Sequence, residues 1–230
     1  MIKLKKMKKL IVIAAALLIG MQANAQLIFN GGYLHATEKS TFTDKLPTGD
    51  VTVSGTDILD GFYAGAKYRI GLDSITEGLS LAPGANFSFL FGRHAKIDAL
   101  DPLDDKAILN EVALNVPLHV QYLFEITPDF KLEAWAGPTF QLGLYDRVID
   151  NDDNPTMIYN QFKTIPATLA SRTVEARNLI NLYLGIGLGV EVSELVHINA
   201  GYDFGLLNLS TDPNAKVTRG MLRIGLGYNF

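Results

Sequence analysis

Cysteine is absent from all 230 residues, which excludes a lipid anchor on a +1 cysteine, a disulfide framework, a thiolate metal site and a thiol nucleophile. Charge is sparse, at 19% of residues. Setting aside Lys3, Lys5, Lys6, Lys8 and Lys9 leaves 15 basic residues against 24 acidic ones, a formal net charge of −9. Nucleic acid is therefore not an expected partner, since backbone binding needs a basic surface. Beyond Gln26 no apolar run approaches the roughly 20 residues of a membrane helix, so any passage through a membrane must be made by strands. Helical periodicity is nearly absent, and no Pro/Gly/Ser-rich linker divides residues 26–230, which read as one domain.

What is present begins with an export signal. The five lysines precede the apolar run 10–20, too short to span a bilayer, and Ala23-Asn24-Ala25 offers the small residues that signal peptidase accepts. Residues 1–25 are expected to be cleaved. The alternative is an uncleaved anchor.

The rest of the chain is governed by period-2 alternation, the mark of strands whose two faces meet different surroundings. Leu222, Ile224, Leu226, Tyr228 and Phe230 share one face, while Arg223, Gly225, Gly227 and Asn229 share the other. The same division of large apolar against small or polar recurs over 112–124, 131–145 and 181–192, and less cleanly over 27–36, 58–70, 79–92 and 196–209. That makes eight strands, each with a lipid face and a lumen face, as a closed bacterial barrel requires. Pro117 falls in mid-strand, where a bulge is expected.

Connection lengths test this independently, because outer-membrane barrels alternate short periplasmic turns with longer external loops. From a periplasmic N-terminus the connections run long (37–57), short (71–78), long (93–111), short (125–130), long (146–178), short (193–195) and moderate (210–217). A soluble lipocalin-like barrel is the alternative, but it would bury Lys67, Arg69, Glu133, Glu191, Asp203 and Arg223 in a dry core at great cost.

Leu114-Asn115-Val116-Pro117-Leu118, Ala136-Gly137-Pro138, Gly201-Tyr202-Asp203-Phe204-Gly205-Leu206 and Leu226-Gly227-Tyr228-Asn229-Phe230 follow one another in the order found in the bacterial outer-membrane β-barrel family of OmpA/OmpX-like, porin-family architecture. The chain resembles that family over most of its length. The resemblance implies an all-β, eight-stranded, antiparallel up-and-down transmembrane barrel over 26–230, export through the periplasm and residence in the bacterial outer membrane. It implies as partners the membrane's lipid and lipopolysaccharide, and the barrel-assembly machinery, with Tyr228 and Phe230 resembling the assembly signal. It does not imply an activity, because one fold hosts many roles.

Candidate sites follow from the faces. Lys67, Arg69, Glu133 and Glu191 point inward near the periplasmic mouth and form a candidate ion network. Asp203 and Arg223 extend it, since the expected register sets 203 beside 223 or 224. His35 and His94 fall near external strand ends, but no Ser/His/Asp spacing accompanies them, so no catalytic residue is assigned and no enzyme is expected. His119 and His197 read as ordinary lumen residues. The run Asp150-Asn151-Asp152-Asp153-Asn154 is rich in hard oxygen ligands; Asp150, Asp152 and Asp153 are a weak Ca²⁺ candidate without the glycine and distal glutamate of an EF-hand. No cofactor motif is present. Tyr159, Phe162 and Ile165 make the third external loop the candidate surface for an unknown protein or surface ligand.

The leading expectation is a structural or interaction barrel without an open general pore, working through its external loops. Transport of small solutes or ions, and an enzyme acting on lipid or peptide, are the alternatives.

Overall fold

The computed structural model describes residues 25–46, 49–93, 108–149, 155–160 and 177–230. The expected signal peptide lies outside them except for Ala25. Nine strands succeed one another: β1 (Ala25–Leu46), β2 (Gly49–Gly71), β3 (Leu79–Arg93), β4 (Ile108–Thr127), β5 (Phe130–Ile149), β6 (Pro155–Asn160), β7 (Ile180–Val192), β8 (Val196–Gly205) and β9 (Ala215–Asn229). Eight of them close a ring in the order β1-β2-β3-β4-β5-β7-β8-β9, and β9 returns to pair with β1. Every pairing is antiparallel. Closure leaves no sheet edge within the wall, which is what allows strands to stand in hydrocarbon.

Side chains alternate along each wall strand. On β9 Arg219, Met221, Arg223 and Asn229 are buried, while Leu222, Ile224, Leu226 and Tyr228 are exposed. Exposed apolar residues continue around the ring in Phe29, Phe62, Phe87, Val120, Phe140, Ile186 and Ile198, forming the lipid-facing band of a membrane barrel.

At one end of the ring, here called the turn end, the connections 72–78, 128–129 and 193–195 are all short. Ser193 and Glu194 both adopt positive φ, 52° and 57°, the geometry of a two-residue hairpin turn that follows the strand twist. Gly78 also has positive φ, 79°, and a Cβ there would lie 2.5 Å from the Leu123 carbonyl oxygen. At the opposite, loop end the strands outrun their expected limits. Residues 37–57, expected as a loop, are largely ladder, since β1 pairs with β2 out to Leu46 opposite Gly49. The expected 146–178 loop likewise begins as sheet, with β5 running to Ile149 and pairing there with β6.

Pro117 produces no bulge. The β4–β5 register is the same on both sides of it, and the shift expected there lies between Val112 and Ala113. Instead the ladder lapses without slipping, between β2 and β3 at 68–69 and 82–83, between β3 and β4 at 84–85 and 116–117, and between β4 and β5 at 118–119 and 137–138. Pro83, Pro117 and Pro138 lie in these gaps or at their edges, and each lacks the N–H that a ladder bond requires.

Candidate functional site

The lumen is built in tiers. Nearest the turn end, Arg69 on β2 lies 2.5 Å from Glu191 of β7 and 3.3 Å from Glu133 of β5, and Lys67 stands 3.5 Å from Glu133. Four side chains singled out in the sequence thus meet across the ring. His197, read from the sequence as an ordinary lumen residue, joins them with its ring nitrogens 3.2 Å from Glu133 and 2.9 Å from Glu191. Gln121 donates to Glu133 at 3.0 Å, and Gln26 accepts from Arg69 at 3.0 Å. Buried carboxylates are tolerable only when paired and hydrogen-bonded in this way.

Above this tier Trp135 stacks on His119, with ring centroids 4.4 Å apart. The indole occupies space left by glycines: a Cβ at Gly187 or Gly201 would fall 2.3 or 2.2 Å from Trp135 ring carbons. A cavity beside it, lined by Asn30, Tyr63, Lys67, Gln121 and Arg223 among others, has room for about one water molecule. Arg223 bonds Asp203 and lies over the Tyr63 ring, 5.3 Å from its centroid. Asp203 is opposite Met221 rather than Arg223, whose own partner is Gly201. The strands are therefore offset from the expected register, and the ion pair spans a diagonal.

Next comes an apolar layer of Leu34, Ala36, Leu59, Leu90, Leu109 and Met221, with the rings of Tyr63 and Tyr183. Beyond it, toward the loop end, Arg219 binds Glu111 at 2.7 Å and Glu38 at 2.8 Å. Arg177, in the connection before β7, bonds Glu38 and lies 3.6 Å from Asp146 and 3.8 Å from Glu111. Burial works against the Arg177 charge, but Glu38 and Asp146 outweigh it and hold the guanidinium above its ordinary value. Sequence reading missed this second network. Glu38, Glu111, Asp146 and Arg177 all lie in segments assigned to loops, and only their charge was available as a signal.

The remaining candidates are dispersed. The Tyr159 backbone pairs with Asp146, while Phe162, Ile165, His94, Asp150, Asp152 and Asp153 lie outside the described residues. Tyr228 and Phe230 face outward at the turn end, their rings 5.0 Å apart. His35 points out of the barrel and contacts Asp60.

A ring of eight antiparallel strands, apolar outside and ionic within, is accompanied by a match to the outer membrane protein beta-barrel domain over residues 11–230. The chain belongs to that family. Its place is the bacterial outer membrane. Among solved structures, the family member is similar to Neisserial surface protein A at 16% identity, covering 90% of this chain and 99% of that one, with a TM-score of 0.44. It is similar to the attachment invasion locus protein Ail of Yersinia pestis at 12% identity, covering 90% and 99%, with a TM-score of 0.43. It is also similar to the Escherichia coli outer membrane protease OmpT at 11% identity, covering 90% and 97%, with a TM-score of 0.38. No curated protein matches the sequence.

Proposed function

We propose that the chain is a closed scaffold of the outer membrane, with no open general-diffusion pore, whose external loops form the surface that recognises a protein or surface ligand. The supporting observation is the filled lumen. A layer of Leu34, Leu59, Leu90 and Met221 lies between two salt-bridge networks. An ion entering from either end meets neutralised charge first and then this cluster, whose polar edge, the Tyr183 hydroxyl, is already engaged with Gln141 at 3.1 Å. Eight strands enclose a bore that side chains can fill, whereas aqueous pores use 16 to 18. What remains accessible is the loop end, where sequence is free to vary without disturbing the ring.

The test is planar-bilayer recording of the refolded, processed barrel. Silence or rare small openings are expected. Stable nanosiemens steps from the monomer would overturn the reading and promote the transport alternative.

A further inference from the structure

Four buried side-chain atoms, Asn30 Oδ1, Tyr63 Oη, Gln121 Oε1 and Arg223 Nε, have no hydrogen-bond partner among the described residues. All four residues line the small cavity beside Trp135. Tyr63, Gln121 and Arg223 are only 3%, 1% and 5% exposed, so bulk solvent does not serve them. A buried polar atom left unpaired is costly, and such atoms are satisfied by protein or by an ordered water. Here the surrounding protein groups are already committed. Gln121 donates from Nε2 to Glu133 at 3.0 Å, which fixes Oε1 as its free acceptor. Arg223 is held by Asp203 and by the face of the Tyr63 ring.

The four atoms are two amide oxygens that only accept, a guanidinium N–H that only donates and a hydroxyl that can do either. One water molecule matches this set. It gives its two hydrogens to Asn30 and Gln121 and accepts from Arg223 and Tyr63, within the two to four bonds of a buried water. An anion would face both amide oxygens, and a metal cation would face Arg223 and Lys67, which also lines the cavity. Each of these cations has its own carboxylate, since Lys67 stands 3.5 Å from Glu133 and Arg223 bonds Asp203. The site is therefore neutral and calls for no counter-ion.

We infer that this cavity binds one ordered water, and that the water joins two parts of the lumen. On one side is the turn-end network, reached through Gln121 and Glu133. On the other is the Arg223–Asp203 pair with Tyr63. With the water in place they form one hydrogen-bonded unit. The turn-end network and the apolar layer enclose the site, so the water exchanges slowly with bulk.

The test is nuclear magnetic resonance of the complete processed barrel, refolded in lipid nanodiscs and labelled at alanine methyl groups. Ala82 lines the cavity, and its methyl is expected to show a water cross-peak of the sign that marks slow exchange. Tyr63→Phe keeps the ring over Arg223 and removes only the hydroxyl. Gln121→Met removes the amide at similar size. Each is expected to lower the folding equilibrium constant, from urea unfolding in lipid vesicles, by about tenfold, roughly one hydrogen bond. Because both bonds end on the same water, the double variant should lose much less than the product of the single losses. Absence of the wild-type cross-peak would overturn the inference, whether or not the variants fold. So would a Tyr63→Phe barrel as stable as wild type, the result for a hydroxyl in a dry cavity, or single losses that multiply in full. A wild-type stability that falls when chloride is replaced by gluconate, with no water cross-peak, would give the site to an anion instead.

Discussion

Arg219 on β9 spans the lumen to Glu111 on β4, the strand opposite it in the ring, and its two terminal nitrogens lie 2.8 and 2.7 Å from the two carboxylate oxygens. The same guanidinium reaches Glu38 at 2.8 Å. This fork fits a planar bidentate cation and not an ammonium. Arg219→Met is expected to cost about 3–5 kcal/mol by leaving Glu38 and Glu111 undercompensated. Arg219→Lys should recover only part of this. Adding Glu111→Gln to Arg219→Met should restore more. Urea unfolding in lipid vesicles measures all three.

Gly201 faces the Trp135 ring at a distance no Cβ can share, 2.2 Å. Gly201→Ala must displace either the indole or the wall, because the Ile186 carbonyl oxygen would also lie 2.6 Å away. A loss of about 1–3 kcal/mol is expected, typical of overpacking. The near-ultraviolet circular dichroism of the stacked indole should weaken with it. An unchanged band would mean that Trp135 is held by something other than these glycines.

Pairing lapses at three neighbouring interfaces along the row that contains Pro83, Leu118 and Pro138. Amides next to the gaps, such as Leu118 and His119, should exchange hydrogen at least about tenfold faster than Leu114 or Val120 in the same strand. Hydrogen-exchange mass spectrometry with peptide resolution checks this. Uniform protection along β4 would show that the gaps are closed in solution.

Phe230 packs edge-on against Phe29 with centroids 5.3 Å apart, yet it is 76% exposed, so the contact adds little to the folded barrel. Phe230→Ala is expected to leave refolding into detergent nearly unchanged while lowering the amount of folded barrel in cells several-fold. Equal losses in the two settings would assign the residue to stability rather than to assembly.

The wall was legible in the sequence because water and hydrocarbon impose opposite demands on alternate residues. Leu222, Arg223 and Ile224 announce their sides. The alternation fades where the demands converge. Thr41, Phe42 and Thr43 continue the ladder past Glu38, where polar and apolar residues no longer divide by face as they do lower in the wall, so the segment reads as a loop. The lumen apolar layer is hidden for the complementary reason. Leu90 between Phe89 and Phe91, and Met221 beside Leu222, are as apolar as their outward neighbours, and an inward apolar residue next to an outward one carries no sign of direction. Lys67, Arg69, Glu133 and Glu191 were found because an inward charge contrasts with its neighbours. Glu38, Glu111 and Asp146 carry the same contrast, but only once the strands are known to reach them.

The apolar layer also has an electrical consequence. Charged, polarisable tiers lie on both sides of a cluster of leucines and Met221 that the rings of Tyr63 and Tyr183 complete, and a voltage across such a series falls mostly across the least polarisable element. The salt bridges at each end then sit close to the potential of the water nearest them. If the lumen is closed as proposed, a shift in membrane potential is expected to do little work on Arg219 or Arg69, although both lie in the bore.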